Sequence, residues 1–102
     1  MLIVSQNGAQ VLVLENLGSI FSDANNKVRC VNSQNGGGSE LARYENREQT
    51  RYEMDALALA YEMGEKVFRF SEIDQVRKNM AAARQQTSYA KTSSRRSMHG
   101  GS

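Results

Sequence analysis

The chain has 102 residues, 39% of them hydrophobic, with 13 Lys/Arg against 11 Asp/Glu and a single cysteine. That length suits one domain with a modest core. The absence of an apolar run near about 18 residues excludes a membrane span, and the lone Cys30 excludes an intrachain disulfide or a cysteine-rich zinc site. The opening MLIVSQNGAQ lacks the basic region of a signal peptide, so the cytoplasm is the expected compartment. The net charge of +2 conceals a division. Residues 1–74 hold 7 Lys/Arg and all 11 acids, whereas residues 75–102 hold 6 Lys/Arg and no acid. An acid-free cationic segment calls for an anionic partner or stays solvated.

In chain order, Leu2–Ser5 reads as a short apolar strand, and Asn7-Gly8 as a hairpin turn with positive φ at both positions. Val11–Leu14 returns as four consecutive apolar residues, which points to burial on both faces. Glu15–Gly18 reads as a turn, Ser19–Ser22 as a third strand and Asp23–Asn26 as turn chemistry. Lys27–Val31 alternates, with Val28 and Cys30 inward and Lys27 and Arg29 outward. Ser33–Ser39 reads as a hairpin loop, or as a backbone nest that approaches phosphate. Glu40–Tyr44 is a fifth strand.

Asn46–Gly64 reads as one long helix, with Asn46 as N-cap, Gln49 completing a capping box and Gly64 at the left-handed C′ position. Its expected apolar stripe is Tyr52, Ala56, Leu59 and Met63, widened by Leu57, Ala60 and Tyr61. Lys66–Phe70 alternates as a strand with Phe68 and Phe70 on one face, suited either to core packing or to base stacking. Ser71 is the expected N-cap of a second helix running to about Thr87. Its narrow stripe of Ile73, Val76, Met80 and Ala83 suits a seam against a partner chain or against the same domain. The tail Ser88–Ser102 has the composition of a disordered segment. The expected fold is therefore α+β: an antiparallel β-meander of five or six strands packed on one helix, followed by a second helix and a basic C-terminal tail. Residues 1–70 form the sheet and packed helix, and residues 71–102 supply oligomer and ligand contacts.

No HExxH, CxxC, P-loop or GxGxxG is present, and His99 is the only histidine. Glu53 and Asp55 read as solvated charges on different helix faces. Binding without catalysis, and without a metal or cofactor, is the expectation. Arg77, Lys78, Arg84, Lys91, Arg95, Arg96 and His99 join the hydroxyls of Thr92, Ser93 and Ser94 as groups suited to phosphate oxygens. Phe68, Phe70 and Tyr89 offer flat faces, and the Asn79 amide offers both a donor and an acceptor to a base edge.

The opening MLIVSQNG, the hairpins and the helix ending in YEMGEKVFRF resemble small phage and prophage proteins of Gram-positive bacteria. With the second helix and basic tail, the layout is similar to that of the phage Thoeris anti-defence sponge proteins. The resemblance implies a homo-oligomer, dimer or hexamer, in the host bacterial cytoplasm. It implies sequestration of cyclic nucleotide immune signals, such as glycocyclic ADP-ribose (gcADPR) and cyclic di- and trinucleotides, without degradation. It also implies ligand contacts from Phe68 or Phe70, Asn79, and Arg95 or Arg96, with Thr92 and Ser94 at a second, symmetric site. Two other readings stand beside it: a protein inhibitor of a host defence nuclease of the anti-CRISPR type, suggested by the acidic first 74 residues, and a nucleic-acid-binding accessory protein using the tail.

Overall fold

The computed structural model describes residues 1–32 and 38–84. Residues 33–37 of the expected loop, the end of the second helix near Thr87, and the tail with Thr92, Ser94, Arg95 and Arg96 lie outside the described residues. The elements are β1 (Leu2–Val4), β2 (Val11–Val13), a 3-10 turn (Leu14–Asn16), β3 (Leu17–Ser22), β4 (Lys27–Asn32), β5 (Gly38–Arg43), α1 (Arg47–Glu62), β6 (Val67–Arg69) and α2 (73–84).

The fold is α+β, but the strands form two three-stranded sheets, ordered β2-β1-β6 and β3-β4-β5, and not one meander. Two features of the chain account for the difference. The 3-10 turn at Leu14–Asn16 takes the chain out of the first sheet before β3 begins. Then α1 carries the chain back so that β6 pairs with β1 in parallel, Ile3 opposite Phe68. That ladder continues at both ends, from Leu2 N–H to the Lys66 carbonyl (2.9 Å) and from Phe70 N–H to the Val4 carbonyl (3.1 Å). Within the second sheet, β3-β4-β5 is antiparallel throughout.

The turns follow from side-chain chemistry. Asp23 Oδ1 accepts from Asn25 N–H (2.9 Å) and Lys27 N–H (3.1 Å), an Asx-type closure of the β3–β4 turn, and Asn26 takes φ 61°. In the first hairpin the Ser5 carbonyl accepts from Gly8 N–H at 2.9 Å, and of the Asn7-Gly8 pair only Gly8 takes positive φ. Asn7 contributes through its side chain instead, accepting from Ser5 Oγ and Ala9 N–H. At the start of α1, Asn46 Oδ1 accepts from Gln49 N–H at 2.9 Å, while Gln49 Oε1 reaches back to Glu45 N–H. At its end, Gly64 has φ 74°, and Gly64 and Glu65 N–H groups donate to the Tyr61 and Ala60 carbonyls, the two bonds of a Schellman motif.

The core gathers Ile3, Val28, Cys30, Leu41, Tyr44, Leu57, Phe70 and Val76. Val28 and Cys30 point inward as their alternation requires. Helix α1 is turned from the expected orientation by roughly one residue, about 100°. Its buried row is Gln49, Thr50, Glu53 and Leu57, while Leu59 and Met63 are 55% and 69% exposed. The two sheets are joined at Gln6. Its N–H donates to the Leu41 carbonyl (2.7 Å), and its side-chain amide donates to the Arg43 carbonyl (3.0 Å) and accepts from Arg43 N–H (3.0 Å). Gln6 thus pairs with the free edge of β5 as a short strand would. Replacing Gln6 by alanine is expected to cost about 1–3 kcal/mol, read as a lower urea midpoint. Gln10→Ala, at an exposed position in the same hairpin, is expected to leave the midpoint nearly unchanged.

Candidate functional site

The residues expected to bind a ligand begin at the β6–α2 junction. Phe68 and Phe70 share a face and pack edge to face, ring centroids 5.1 Å apart at 87°. They differ in exposure. Phe70 is 3% exposed and belongs to the core, so its ring offers no face to a ligand in the single chain, whereas Phe68 is half-buried in a row with Ile3 and Leu12.

Ser71 follows. It was expected to cap α2 through its hydroxyl, but its backbone is what fixes the junction. Its N–H donates to Glu53 Oε1 at 2.6 Å, and its carbonyl accepts from Gln6 Nε2 at 3.1 Å. The Tyr44 hydroxyl lies between the two acceptors, 2.8 Å from the Ser71 carbonyl oxygen and 3.3 Å from Glu53 Oε1. Glu53 is 2% exposed, so the reading of it as a solvated charge is corrected. The periodicity that places apolar residues on a helix face carries no signal for a carboxylate whose partners come from residues 44 and 71. Burial, and then the Glu53 carboxylate, hold the Tyr44 phenol well above its ordinary value.

Helix α2 docks on its own domain. Val76 is fully buried, and Ile73 and Met80 pack against the core. Of the cations expected to project from α2, Arg77 forms a forked pair with Glu45 (Nε to Oε1 2.9 Å, Nη2 to Oε2) and reaches Asp74 at 3.3 Å. Arg84 lies 3.6 Å from Glu48. Hydrogen bonds from Gln49 and then Arg77 hold the Glu45 carboxyl below the usual carboxylate range. Lys78 is exposed. Asn79 is half-buried, and its Oδ1 accepts from Gln75 Nε2 at 2.8 Å. The described structure thus brings the two phenylalanines together but ties Arg77 and Arg84 to acids of the α1 start.

An apolar groove of about 460 Å³ that sequence reasoning did not find lies between α1 and the edge strand β3, lined chiefly by Leu14, Leu17, Ile20, Met54, Leu57 and Tyr61. Its α1 wall exists because the helix is turned away from the expected orientation. Among the described residues, no group of three or more His, Cys, Asp or Glu is placed to hold a metal ion, and no buried side-chain nitrogen or oxygen lacks a partner. No described helix is long and apolar enough to cross a membrane. Comparisons of the chain with protein-family models, with curated proteins and with solved structures find no match.

Two outcomes check the junction. Glu53→Ala strands the Ser71 N–H in a dry site and is expected to cost about 2–4 kcal/mol, with Glu53→Gln, which keeps an acceptor, costing less. The second concerns alkaline pH. An unfolded tyrosine ionises near pH 10.0, while the folded Tyr44 phenol keeps its proton to higher pH. This contribution to stability is complete below the unfolded value and declines as pH rises from there toward the folded one. Between about pH 9 and about pH 11, the wild-type chain should therefore lose roughly 1.4 kcal/mol relative to Tyr44→Phe in paired urea titrations.

Proposed function

We propose that this chain is a non-catalytic binding protein that sequesters cyclic nucleotide signals, in the manner of the phage anti-defence sponges it resembles in layout, and that it works as a homo-oligomer in the host bacterial cytoplasm. One observation carries the reading: residues 75–102 hold 6 Lys/Arg and no acid, after 74 residues with an acidic balance. Phosphates are bound by guanidinium forks, hydroxyls and backbone amides, and this segment is rich in the first two.

The geometry refines which residues carry the proposal. With Arg77 and Arg84 held by Glu45 and Glu48, phosphate binding falls to Arg95 and Arg96, beside the hydroxyls of Thr92 and Ser94. With Phe70 enclosed, Phe68 is the ring left to stack on a base, and Asn79 is the amide left to read its edge. Helix α2, which carries the start of the basic segment, is docked on the core by Val76 and Met80, and preorganised donors lose less entropy on binding.

A second reading, a protein that docks on a host defence nuclease and inhibits it, is favoured by the apolar groove between α1 and β3. Titration of the purified chain with a panel of cyclic nucleotides, followed by calorimetry and native mass, separates the two. The expected result is a bound nucleotide recovered intact after heat denaturation, with affinity reduced at least about tenfold in the Arg95→Ala/Arg96→Ala double variant. Unchanged affinity in that variant removes the tail from the site; absence of binding across the panel sinks the sponge.

A further inference from the structure

The first sheet breaks the rule for a sheet with one face on a core. Such strands alternate apolar inward and polar outward. Here the inward row of Leu12, Ile3 and Phe68 packs on the core, and the outward face is apolar as well. Val13, Leu2 and Val67 stand side by side in one row, and Val11, Val4 and Arg69 in the next. Leu2, Val11, Val13 and Val67 are 41–59% exposed, and Val4, in the middle strand, is buried without belonging to the core cluster. Five of six outward side chains are therefore aliphatic.

We infer that this face is the contact surface for a second copy of the chain. The inference rests on the preceding reading only for the expectation of a homo-oligomer, and not on the ligand.

Composition argues against cover by the rest of the sequence. Residues 33–37 and 85–102 contribute only Tyr89, Ala90 and Met98 as apolar side chains, and the second segment is cationic, as is the one charged group on the face, Arg69. The face can, by contrast, meet a second copy of itself without opposing its charges. A two-fold axis lying in the face, along or across the strands, sets Arg69 over a valine of the second copy and never over the second copy's own arginine. The arginine stem then lies on apolar surface while its head leaves at a corner.

The border is suited to the rim of such a contact. The bonds Leu14 N–H to Met1 O and Ser5 N–H to Gln10 O set the phase of the β1–β2 ladder, so the Val11 and Val13 main-chain groups point outward from the sheet edge. The apolar patch itself is small. Three strands about 4.8 Å apart and about 10 Å long present roughly 140 Å² in projection, the centre of an interface and not its whole. A patch this far below the area of a standard interface fits only a weak, concentration-dependent dimer.

Light scattering of the full chain across about 1–200 μM tests it. The mass should rise from the 11.4 kDa of one chain toward twice that value. Val13→Lys, and independently Val67→Lys, should raise the dissociation constant at least about thirtyfold, the size of an interface hot-spot loss, with unchanged circular dichroism and melting. In a larger assembly they should halve the mass. Leu59→Lys, on the exposed flank of α1, should leave association intact. A wild-type mass of one chain throughout, association that survives both valine variants, or dissociation by Leu59→Lys of equal size each overturns the proposal. The cyclic nucleotide titration fails separately: a Val13-dependent dimer that binds no nucleotide removes the sponge alone, and a nucleotide-binding chain with no Val13-dependent dimer removes the sheet contact alone.

Discussion

The structure depends on what is done with the backbone of Ser71. Once β6 ends, Ser71 lies half-buried before α2 starts, and no strand ladder satisfies its N–H and carbonyl. An unpaired buried peptide group costs as much as a lost hydrogen bond, so partners must be supplied. They come from three distant places: Glu53 in the middle of α1, Tyr44 just after β5 and Gln6 just after β1. Each of these side chains also ties its own element to another. Gln6 pairs with the β5 edge, and the Tyr44 hydroxyl lies between Glu53 and Ser71. Two three-stranded sheets are thereby joined with both helices around one polar node.

That node explains the unusual face of α1. A helix under a sheet normally buries its apolar row, but here Gln49, Thr50 and Glu53 are inside and Leu59, Tyr61 and Met63 outside. Every buried polar group has a specific acceptor or donor. Gln49 is bonded to Glu45 and the N-cap, Thr50 Oγ1 to the Asn46 carbonyl, and Glu53 to Ser71. Fixing Glu53 toward Ser71 sets the helix rotation, and the same rotation carries Leu59 and Met63 to the surface. The exposed apolar side chains of α1 are in this sense the complement of a buried carboxylate.

This is also where the sequence stops being readable. Several local signals hold in the structure, namely the Asn46 cap, the Gly64 terminator and the inward alternation of Val28 and Cys30, whereas Asn7 does not take positive φ and Val11 and Val13, expected to be buried on both faces, are exposed. Alternation marked residues 66–70 as a strand, but a period of two carries neither partner nor direction, so the parallel pairing with β1 was not legible. The rotation of α1 was misread because the periodicity argument assumes that buried rows are apolar. For the residues expected to bind a ligand, spacing puts Phe68 and Phe70 on one face, but which ring is enclosed depends on packing that sequence spacing does not encode. The pairing of Arg77 with Glu45 spans 32 positions and is set by how α2 docks.

The charges and the apolar surfaces sort the molecule into surfaces with different uses. The start of α1 is acidic at Glu45 and Glu48 and pairs with Arg77 and Arg84, so the charge imbalance of the last quarter of the sequence is partly neutralised within the described fold. Exposed pairs of this kind contribute little stability, but they orient side chains and remove them from competition for a phosphate. The cations beyond residue 84 have no such acids in sequence around them. Aliphatic surface, meanwhile, is concentrated on the outer face of the first sheet and along α1, away from the pairing of α2 with the α1 start. A small domain that keeps four exposed aliphatic side chains on the outside of a three-stranded sheet retains apolar surface that its own core does not use. Among the described residues that surface is left uncovered, and it lies apart from the acidic start of α1 and the cations of α2.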